Sequence, residues 1–326
     1  MTIMYILIGL ALIFDFLNGF HDSSNIVATI IFSRAMPPRI ALYLTAVAEF
    51  IGPFLFGVAV AKTIGEDIVL PGSIDMLVLV SALSTAILWN LFTWYFGIPS
   101  SSSHALIGGI VGAVIAEAGI SAIQYLGLLK VVIALFVSPI LGLVVGYLFT
   151  RLVFFLTKNS SMKINKFFKN SQIVTGLGLA LSHGANDAQK TMGIITLGLV
   201  VSGTINQFQV PVWVIAISAM AISLGTAVGG WRLIRTLGGR FYKIKPVHGF
   251  AAQVSSAAII LGAALVGGPV STTQVVSSSI LGVGSAQRVN MVRWGVAGNI
   301  LIAWVFTIPL TIIFSYLFYF LLNFLA

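Results

Sequence analysis

Long apolar stretches separated by short polar breaks run along nearly the whole chain. Stretches of about 20 apolar residues predict membrane-spanning helices, and shorter stretches predict half-helices or hairpins. We expect such segments near residues 3–33, 40–61, 76–96, 106–118, 125–149, 172–202, 211–231, 247–266, 275–284 and 294–324. Polar motifs interrupt the first and the sixth segment, so we predict that both are broken helices.

The two interrupting motifs are related to each other. Residues 18–25 read Asn-Gly-Phe-His-Asp-Ser-Ser-Asn, and residues 183–190, which follow 165 positions later, read His-Gly-Ala-Asn-Asp-Ala-Gln-Lys. Each motif puts a carboxylate, Asp22 or Asp187, where a membrane helix normally has none. A charge at that depth costs about 2.5 kcal/mol or more, so it is normally present to bind something.

Two further alignments support a duplicated chain. Residues 52–64 pair with residues 225–237, and Pro-Ser-Ser-Ser-Ser-His at 99–104 pairs with Pro-Val-Ser-Thr-Thr-Gln at 269–274. We predict a first inverted repeat over 1–150, a basic cytoplasmic loop over 151–171 and a second inverted repeat over 172–326. Inverted repeats with interrupted helices are typical of secondary transporters, whose site lies near mid-membrane between the repeats.

Composition agrees with a polytopic all-α membrane protein. The chain is 58% hydrophobic and 8% charged, with a mean hydropathy of +1.07, whereas soluble domains carry about 25% charged residues. The absence of cysteine excludes disulfides and thiolate metal sites. The apolar stretch that starts at Thr2 is not followed by a small-residue cleavage site, so we interpret it as a mature membrane segment.

Positive charge is concentrated in alternate loops that contain no acid. These loops hold 14 of the 17 basic residues: Arg34, Arg39, Arg151, Lys158, Lys163, Lys166, Lys169, Arg232, Arg235, Arg240, Lys243, Lys245, Arg288 and Arg293. Because basic loops stay cytoplasmic, the net charge of +9 indicates topology, and we expect no nucleic-acid partner. All the basic loops can lie on the cytoplasmic side only if two segments enter and leave the membrane on the same side. We therefore predict two re-entrant hairpins, with Gly- and Pro-containing tips at 97–100 and 267–270. Both termini then lie outside the cell, and the halves are inverted.

The chemistry of the motifs suggests an anion site beside a cation site. Hydroxyl groups precede a helix start at each tip, and free N–H groups with a partial positive charge favour an anion there. Carboxylate and amide oxygens of the two motifs suit a hard monovalent cation. Structural interpretations stay open: Asn and Asp can cap a kink, serines can serve in packing, and Lys190 can simply pair with Asp187.

Together these motifs resemble the inorganic phosphate transporter (PiT) family over nearly the whole chain. The resemblance rests on residues 19–25 and 184–187, both hairpin tips, and Gly-Thr-Ala-Val-Gly-Gly-Trp-Arg at 225–232. It implies secondary uptake of phosphate, coupled to sodium in some members and to protons in others, and a scaffold that commonly dimerises. The short central loop favours a compact prokaryotic-type sodium/phosphate symporter.

The resemblance and the chemistry of the motifs together suggest roles for individual residues. We expect phosphate to be bound by Asn25, Ser101, Ser102, Ser103, Lys190, Ser271, Thr272 and Thr273. We expect sodium to be bound by Asn18, Asp22, Asn186 and Asp187. Coupling or supporting roles are expected for Glu49, His104, His183 and Gln189, with Gln253 as the second-half analogue of Glu49.

The resulting expectation is sodium-coupled symport of phosphate by alternating access across the inner (plasma) membrane. Sodium would be a co-transported ion, no cofactor is expected, and the protein would form a homodimer. The alternatives are a proton-coupled phosphate or sulfate permease of the same family and, more remotely, an anion channel. We do not expect an enzyme, because the adjacent Ser103 and His104 point apart at a helix start and no Gly-x-Ser-x-Gly elbow occurs.

Overall fold

The computed structural model describes residues 2–69, 74–239 and 241–325, and this part of the chain is almost entirely helical. Arg240, one of the basic residues used to predict topology, lies outside the described residues. The helices in the described part are α1 (Thr2–Phe32), α2 (Pro38–Leu55), α3 (Ala59–Lys62), α4 (Met76–Phe96), α5 (Ser102–Ala118), α6 (Tyr125–Thr157), α7 (Ile164–Val201), α8 (Val212–Val228), α9 (Trp231–Gly239), α10 (Pro246–Leu265), α11 (Thr272–Gln287) and α12 (Trp294–Leu325).

Six of these helices are long and apolar enough to cross a membrane, and a seventh span results if α8 and α9 count as one. The outer helices α6 and α12 expose large apolar side chains along their length, among them Phe136, Leu148, Phe306 and Leu321. An exposed apolar belt of this kind is the surface that lipid covers. The fold therefore agrees with the polytopic all-α prediction.

The prediction of two broken motif helices is wrong. Both α1 and α7 run without interruption through residues 18–25 and 183–190. The polar side chains of the motifs find partners on other helices, so the backbone keeps its own hydrogen bonds. The predicted loop at 151–171 is also shorter than expected, because α6 continues to Thr157 and α7 begins at Ile164.

The breaks occur instead in the two segments that the second alignment pairs. The chain is interrupted between α2 and α3, and again between α8 and α9, where the two helix axes differ by 69°. At each break a side chain of a motif helix accepts hydrogen bonds from the restarting backbone. Ser23 Oγ accepts from Gly230 N (2.8 Å), and Gln189 Oε1 accepts from Val60 N (2.8 Å) and Ala61 N (3.2 Å).

Two helical hairpins reverse direction at glycine. Gly97 follows α4 with φ 67°, and Gly267 lies between α10 and α11 with φ 74°. This left-handed backbone conformation costs glycine little and strains other residues. After each reversal a serine, Ser101 or Ser271, caps the next helix by accepting from the backbone N–H three residues later.

The motif helices α1 and α7 lie side by side in the centre, and α8 and α2 pack against them. The packing is close enough to require glycine. A Cβ at Gly19 would collide with the backbone of Ile222, and a Cβ at Gly184 would collide with the backbone of Glu49. The hairpin α4–α5 packs on α1 and α12, while α10–α11 packs on α7 and α6. Both hairpin tips therefore reach the central pair of helices.

Candidate functional site

The first motif contacts the tip of the second hairpin. Asp22 on α1 accepts a hydrogen bond at Oδ2 from Thr272 Oγ1 (2.8 Å) and another at Oδ1 from Thr273 Oγ1 (2.7 Å). Asn25, one turn further along α1, donates from Nδ2 to Thr273 Oγ1 (3.0 Å). The sequence prediction that these residues converge is therefore correct in geometry, since 250 positions separate Asp22 from Thr272.

The second motif contacts both hairpin tips. Lys190 Nζ on α7 donates to the carboxylate of Asp187, to Ser103 Oγ (2.6 Å) and to the backbone oxygen of Val270 (2.9 Å). Ser103 Oγ in turn donates to the same Val270 oxygen (3.1 Å). Lys190 thus ties its own helix to both tips at the point where the two hairpins meet.

His183 joins three buried carboxylates. Its Nδ1 contacts Glu49, and its Nε2 lies 3.3 Å from Asp22 Oδ2 and 3.2 Å from Asp187 Oδ2. Both ring nitrogens of His183 therefore face carboxylate oxygens. In this directly contacting group, three carboxyl groups face two basic side chains, His183 and Lys190.

One part of this group has the geometry of a cation site. Asp22, His183 and Asp187 each offer a ligand atom within 4.8 Å of the other two, and all three residues are buried. A hard monovalent cation prefers oxygen ligands, so the carboxylates of Asp22 and Asp187 are the relevant ligands in this group. On the side of α11, the hydroxyl oxygens of Thr272 and Thr273 lie next to the carboxylate oxygens of Asp22.

The first hairpin tip has its own set of contacts. Ser102 Oγ donates to Asn18 Oδ1 (2.7 Å), while Ser101 Oγ accepts from His104 N (3.1 Å) and lies 2.6 Å from His104 Nδ1. Ser271 caps α11 in the same way, accepting from Gln274 N (3.4 Å). In this conformation Ser101 and Ser271 hold their helix starts, and the side chains of Ser102, Ser103, Thr272 and Thr273 are aimed at the motif helices.

The side chains of Asn186 and Gln189 form hydrogen bonds with backbone groups rather than with other side chains. Asn186 Nδ2 donates to the backbone oxygen of Gly268 (3.1 Å) in the second tip. Gln189 receives the two N–H groups at the start of α3 and donates from Nε2 to Ala185 O (2.6 Å). Every residue predicted for the site is buried, with at most 6% of its surface exposed, which is the value for Ser102.

The expectation that Gln253 is the counterpart of Glu49 is wrong. Gln253 lies on α10 and bonds to Thr29 (2.9 Å) and Thr175 (2.5 Å), away from the motif carboxylates. The position that corresponds to Glu49 in packing is Ile222. The backbone of Glu49 packs against Gly184 of the second motif, and the backbone of Ile222 packs against Gly19 of the first motif. The second half therefore has an apolar residue where the first half has Glu49.

Sequence reasoning missed the backbone contributions to the site. The carbonyl oxygens of Val270 and Gly268 both accept from motif side chains, and a backbone group carries no sequence signal. The sequence prediction of the site did not include Asp15 either. It is fully buried on α1, and neither carboxylate oxygen has a hydrogen-bond partner within the described residues.

Comparison with known proteins agrees with these features. The model of the phosphate transporter family matches residues 18–315. A Bacillus subtilis (strain 168) protein named "Probable low-affinity inorganic phosphate transporter" is 47% identical over 327 residues, which cover 99% of this chain and 97% of the relative. A Rhizobium meliloti (strain 1021) protein of the same name is 45% identical over 322 residues, covering 98% and 96% of the two chains.

A solved structure has the same fold. The chain described as "The sodium-dependent phosphate transporter" superposes with a TM-score of 0.90 at 26% sequence identity, and the match covers 100% of both chains. The description of the family model and the names of these relatives are those of transporters rather than enzymes. This multi-pass membrane protein belongs to the phosphate transporter family.

Proposed function

We propose that the protein moves inorganic phosphate into the cell in symport with sodium, by alternating access. The observation that carries this proposal is the contact of Asp22 with Thr272 and Thr273. It puts a buried carboxylate of one half against the hydroxyl-rich helix start of the other half. The relatives are named phosphate transporters, and the solved neighbour is named sodium-dependent.

The cation is proposed to bind at Asp22. The carboxylate and the hydroxyl oxygens of Thr272 and Thr273 form an oxygen-rich group across α1 and α11, and the Asn25 amide nitrogen donates to one of these hydroxyl groups. Carboxyl groups outnumber basic side chains in the contacting group by three to two, so an added cation has acidic partners there. A cation at this position would also join the two halves of the chain, which is what closing a cavity requires.

Phosphate is proposed to bind at the starts of α5 and α11. Helix starts offer free N–H groups and a partial positive charge of about half a unit. The hydroxyl groups of Ser102, Ser103, Thr272 and Thr273 add donors, and a tetrahedral oxyanion accepts many of them. Ser101 and Ser271 would shape these starts as caps.

This arrangement gives a physical reason for coupling. The protons of Thr272 and Thr273 are directed at Asp22 in the present conformation, so they are not free for an anion. Sodium at Asp22 would replace them as the partner of the carboxylate, and the hydroxyl groups would then donate to phosphate. Phosphate without sodium would meet a carboxylate with no cation beside it and hydroxyl groups that already donate to that carboxylate, so each ligand favours the binding of the other.

Alternating access is proposed to use two inverted repeats with re-entrant hairpins. Support comes from contacts that occur in pairs: a Cβ at Gly52 would meet Leu181 O, and a Cβ at Gly225 would meet Phe16 O. Leu181 follows Phe16 by the same 165 positions that separate the two motifs. Two similar packing units around one site are suited to exposing that site to each side in turn.

We also propose an orientation in the membrane and a homodimer. The basic side chains between α6 and α7 and around α9 favour the cytoplasmic side for those segments. Both chain ends would then lie outside the inner membrane. A homodimer follows from the family resemblance, and the apolar outer faces of α6 and α12 would face lipid or the second copy.

Uptake of radiolabelled phosphate into proteoliposomes tests the proposal. We expect an inward sodium gradient to drive uptake, with excess unlabelled sulfate having no effect. Asp22→Asn should abolish the sodium-driven component, whereas Glu117→Gln, which removes an exposed carboxylate at the end of α5, should not. Uptake of sulfate in place of phosphate, or uptake that never saturates, would overturn the proposal.

Proton coupling is the second candidate. The contact of Glu49 with His183 is the observation that favours it, because such a buried pair can hold a transferable proton. An inward proton gradient without sodium separates the two candidates in the same proteoliposomes. Uptake under that gradient, lost in Glu49→Gln, would replace sodium by the proton.

A further inference from the structure

Asn25 and Lys190 hold corresponding positions in the two motifs. Both lie three residues after the motif aspartate, and 165 positions separate them, as they separate Asp22 from Asp187. Their contacts correspond as well. Asn25 Nδ2 donates to Thr273 Oγ1 (3.0 Å), and Lys190 Nζ donates to Ser103 Oγ (2.6 Å).

The hydroxyl groups that they contact are also counterparts. The alignment of 99–104 with 269–274 pairs Ser103 with Thr273. Each motif therefore forms one cluster with the hairpin tip of the opposite half, built from an aspartate, a hydroxyl group and the residue three positions after the aspartate. The second cluster contains an ammonium group where the first contains a neutral amide, and this ammonium group, rather than a hairpin hydroxyl group, is the hydrogen-bond donor to its aspartate.

The surroundings of the ammonium group are those of a bound cation. Lys190 is 1% exposed, and its Nζ faces the Asp187 carboxylate, the Ser103 hydroxyl (2.6 Å) and the Val270 carbonyl (2.9 Å). An ammonium group has three protons to donate, and three oxygen atoms receive them. Carboxylate, hydroxyl and carbonyl oxygens are the ligands that a hard monovalent cation would take in the same place.

We propose that the Lys190 ammonium is a tethered cation that permanently fills the second of two equivalent cation sites. The protein then binds one mobile sodium ion, at Asp22, for each transport cycle. This inference rests on the proposed function and specifies its ion stoichiometry. It replaces the phosphate contact that the sequence suggested for Lys190, since all three protons of that group are engaged by protein oxygens.

A tethered cation changes the dependence on external sodium. A mobile ion must be recruited from solution, and its contribution rises with its concentration, whereas an ammonium on the same chain is always present. Asp187 is thereby neutralised whatever the sodium concentration is. The dependence of phosphate uptake on sodium should accordingly follow the binding of one ion instead of two.

The test gives the second cluster the residue that the first cluster has at this position. Lys190→Asn places an amide at the position that corresponds to Asn25, and Lys130→Asn, on the exposed face of α6, is the matched control. Equilibrium binding of radioactive sodium to the purified protein and the sodium dependence of phosphate uptake are both measured. We expect Lys190→Asn to bind one additional sodium ion and to show a steeper dependence, and we expect Lys130→Asn to match the unmodified chain.

A second variant covers the case in which Lys190→Asn does not fold. Asp187→Asn combined with Lys190→Met removes both charges of the buried pair, a change that proteins often tolerate better than loss of one partner. We expect this double variant to bind one sodium ion, as the unmodified chain does. Loss of all sodium binding in the folded double variant would overturn the inference.

The outcomes separate this inference from the proposed function. Weaker phosphate binding in Lys190→Asn with an unchanged number of sodium ions would make Lys190 a phosphate ligand and overturn the inference alone. Uptake by the unmodified chain that ignores sodium would overturn sodium coupling. Even then, sodium binding acquired by Lys190→Asn would support the tethered cation.

Discussion

His104 Nε2 lies 3.4 Å from Gln274 Nε2, so the two hairpins touch through residues that their alignment pairs with each other. A residue that contacts its own counterpart lies close to the axis that would relate two repeats. His104 is held by Ser101, and Ser271 caps the helix that carries Gln274. The helix starts proposed to bind phosphate thus meet at this pair.

Exchanging His104 and Gln274 tests whether they act as a pair. We expect His104→Gln and Gln274→His each to slow phosphate uptake, because each leaves two like side chains in contact. The double variant should be more active than the two single effects, added together, would predict. Coupling energies of contacting residues are about 0.5–3 kcal/mol, and a double-mutant cycle on initial rates measures this one. Strictly additive effects would show that the contact has no part in transport.

Gly184 tests the close approach of α7 to α2. Gly184→Ala should lower the free energy of unfolding by about 1–3 kcal/mol, since overpacking a tight contact has that cost. The clash would be with the backbone of Glu49, which cannot move aside as a side chain could. Thermal unfolding in detergent gives the comparison.

The same helix provides the control for Gly184. A Cβ at Gly178 would have no neighbour within 4 Å, so Gly178→Ala should be neutral or stabilising by about 0.5–1 kcal/mol. Equal destabilisation by both variants would attribute the effect to the helix itself and contradict the role of close packing.

Thr273 tests the proposed exchange of hydroxyl partners between Asp22 and phosphate. Thr273→Val keeps the shape of the side chain and removes the group that contacts both Asp22 and Asn25. Hydrogen bonds to charged groups contribute about 1.5–3 kcal/mol, so half-saturation of sodium-driven uptake should need at least tenfold more phosphate, because the hydroxyl group proposed to donate to phosphate is gone. Thr273→Ser retains the hydroxyl group and should stay near the original value, and a serine variant as impaired as the valine variant would argue against this chemistry.

Gln189 tests the support of the broken helix. Gln189→Leu leaves the N–H groups of Val60 and Ala61 without their side-chain acceptor. Each buried donor left unpaired costs about 1–3 kcal/mol, so we expect a clear drop in unfolding temperature. Gln207→Leu, in the exposed segment before α8, should have little effect. Unchanged stability in Gln189→Leu would show that the start of α3 does not depend on this side chain.

Glu49 tests the division of roles among the three carboxylates. Glu49 contacts His183 but neither hairpin hydroxyl group, whereas Asp22 contacts two of them. Under sodium coupling, Glu49→Gln should weaken the sodium dependence without abolishing uptake, because His183 keeps its contacts with Asp22 and Asp187. Titration of uptake with sodium measures this, and complete loss of sodium-driven uptake would give Glu49 the role assigned to Asp22.

The helix breaks show where prediction from sequence fails. Glycine, asparagine and aspartate in an apolar run suggested that α1 and α7 are interrupted, yet both are continuous. Gly19 and Gly184 serve close packing, and Asp22 and Asn25 bond to Thr272 and Thr273. A sequence shows which residues are polar, but it does not show whether their partners are the local backbone or a distant helix.

Sequence alone determined the membrane class, the paired motifs, the hairpin tips and the convergence of Asp22, Thr272 and Thr273 on one region. These follow from local composition and from repetition along the chain, which require no coordinates. Only the tertiary structure decided which partner each side chain takes: His183 among three carboxylates, Gln189 at the start of α3, and Lys190 on a carbonyl that has no sequence signature. The physical reason is that partners in a buried polar network are chosen by distance and direction across the interior, and sequence separation carries no information about either.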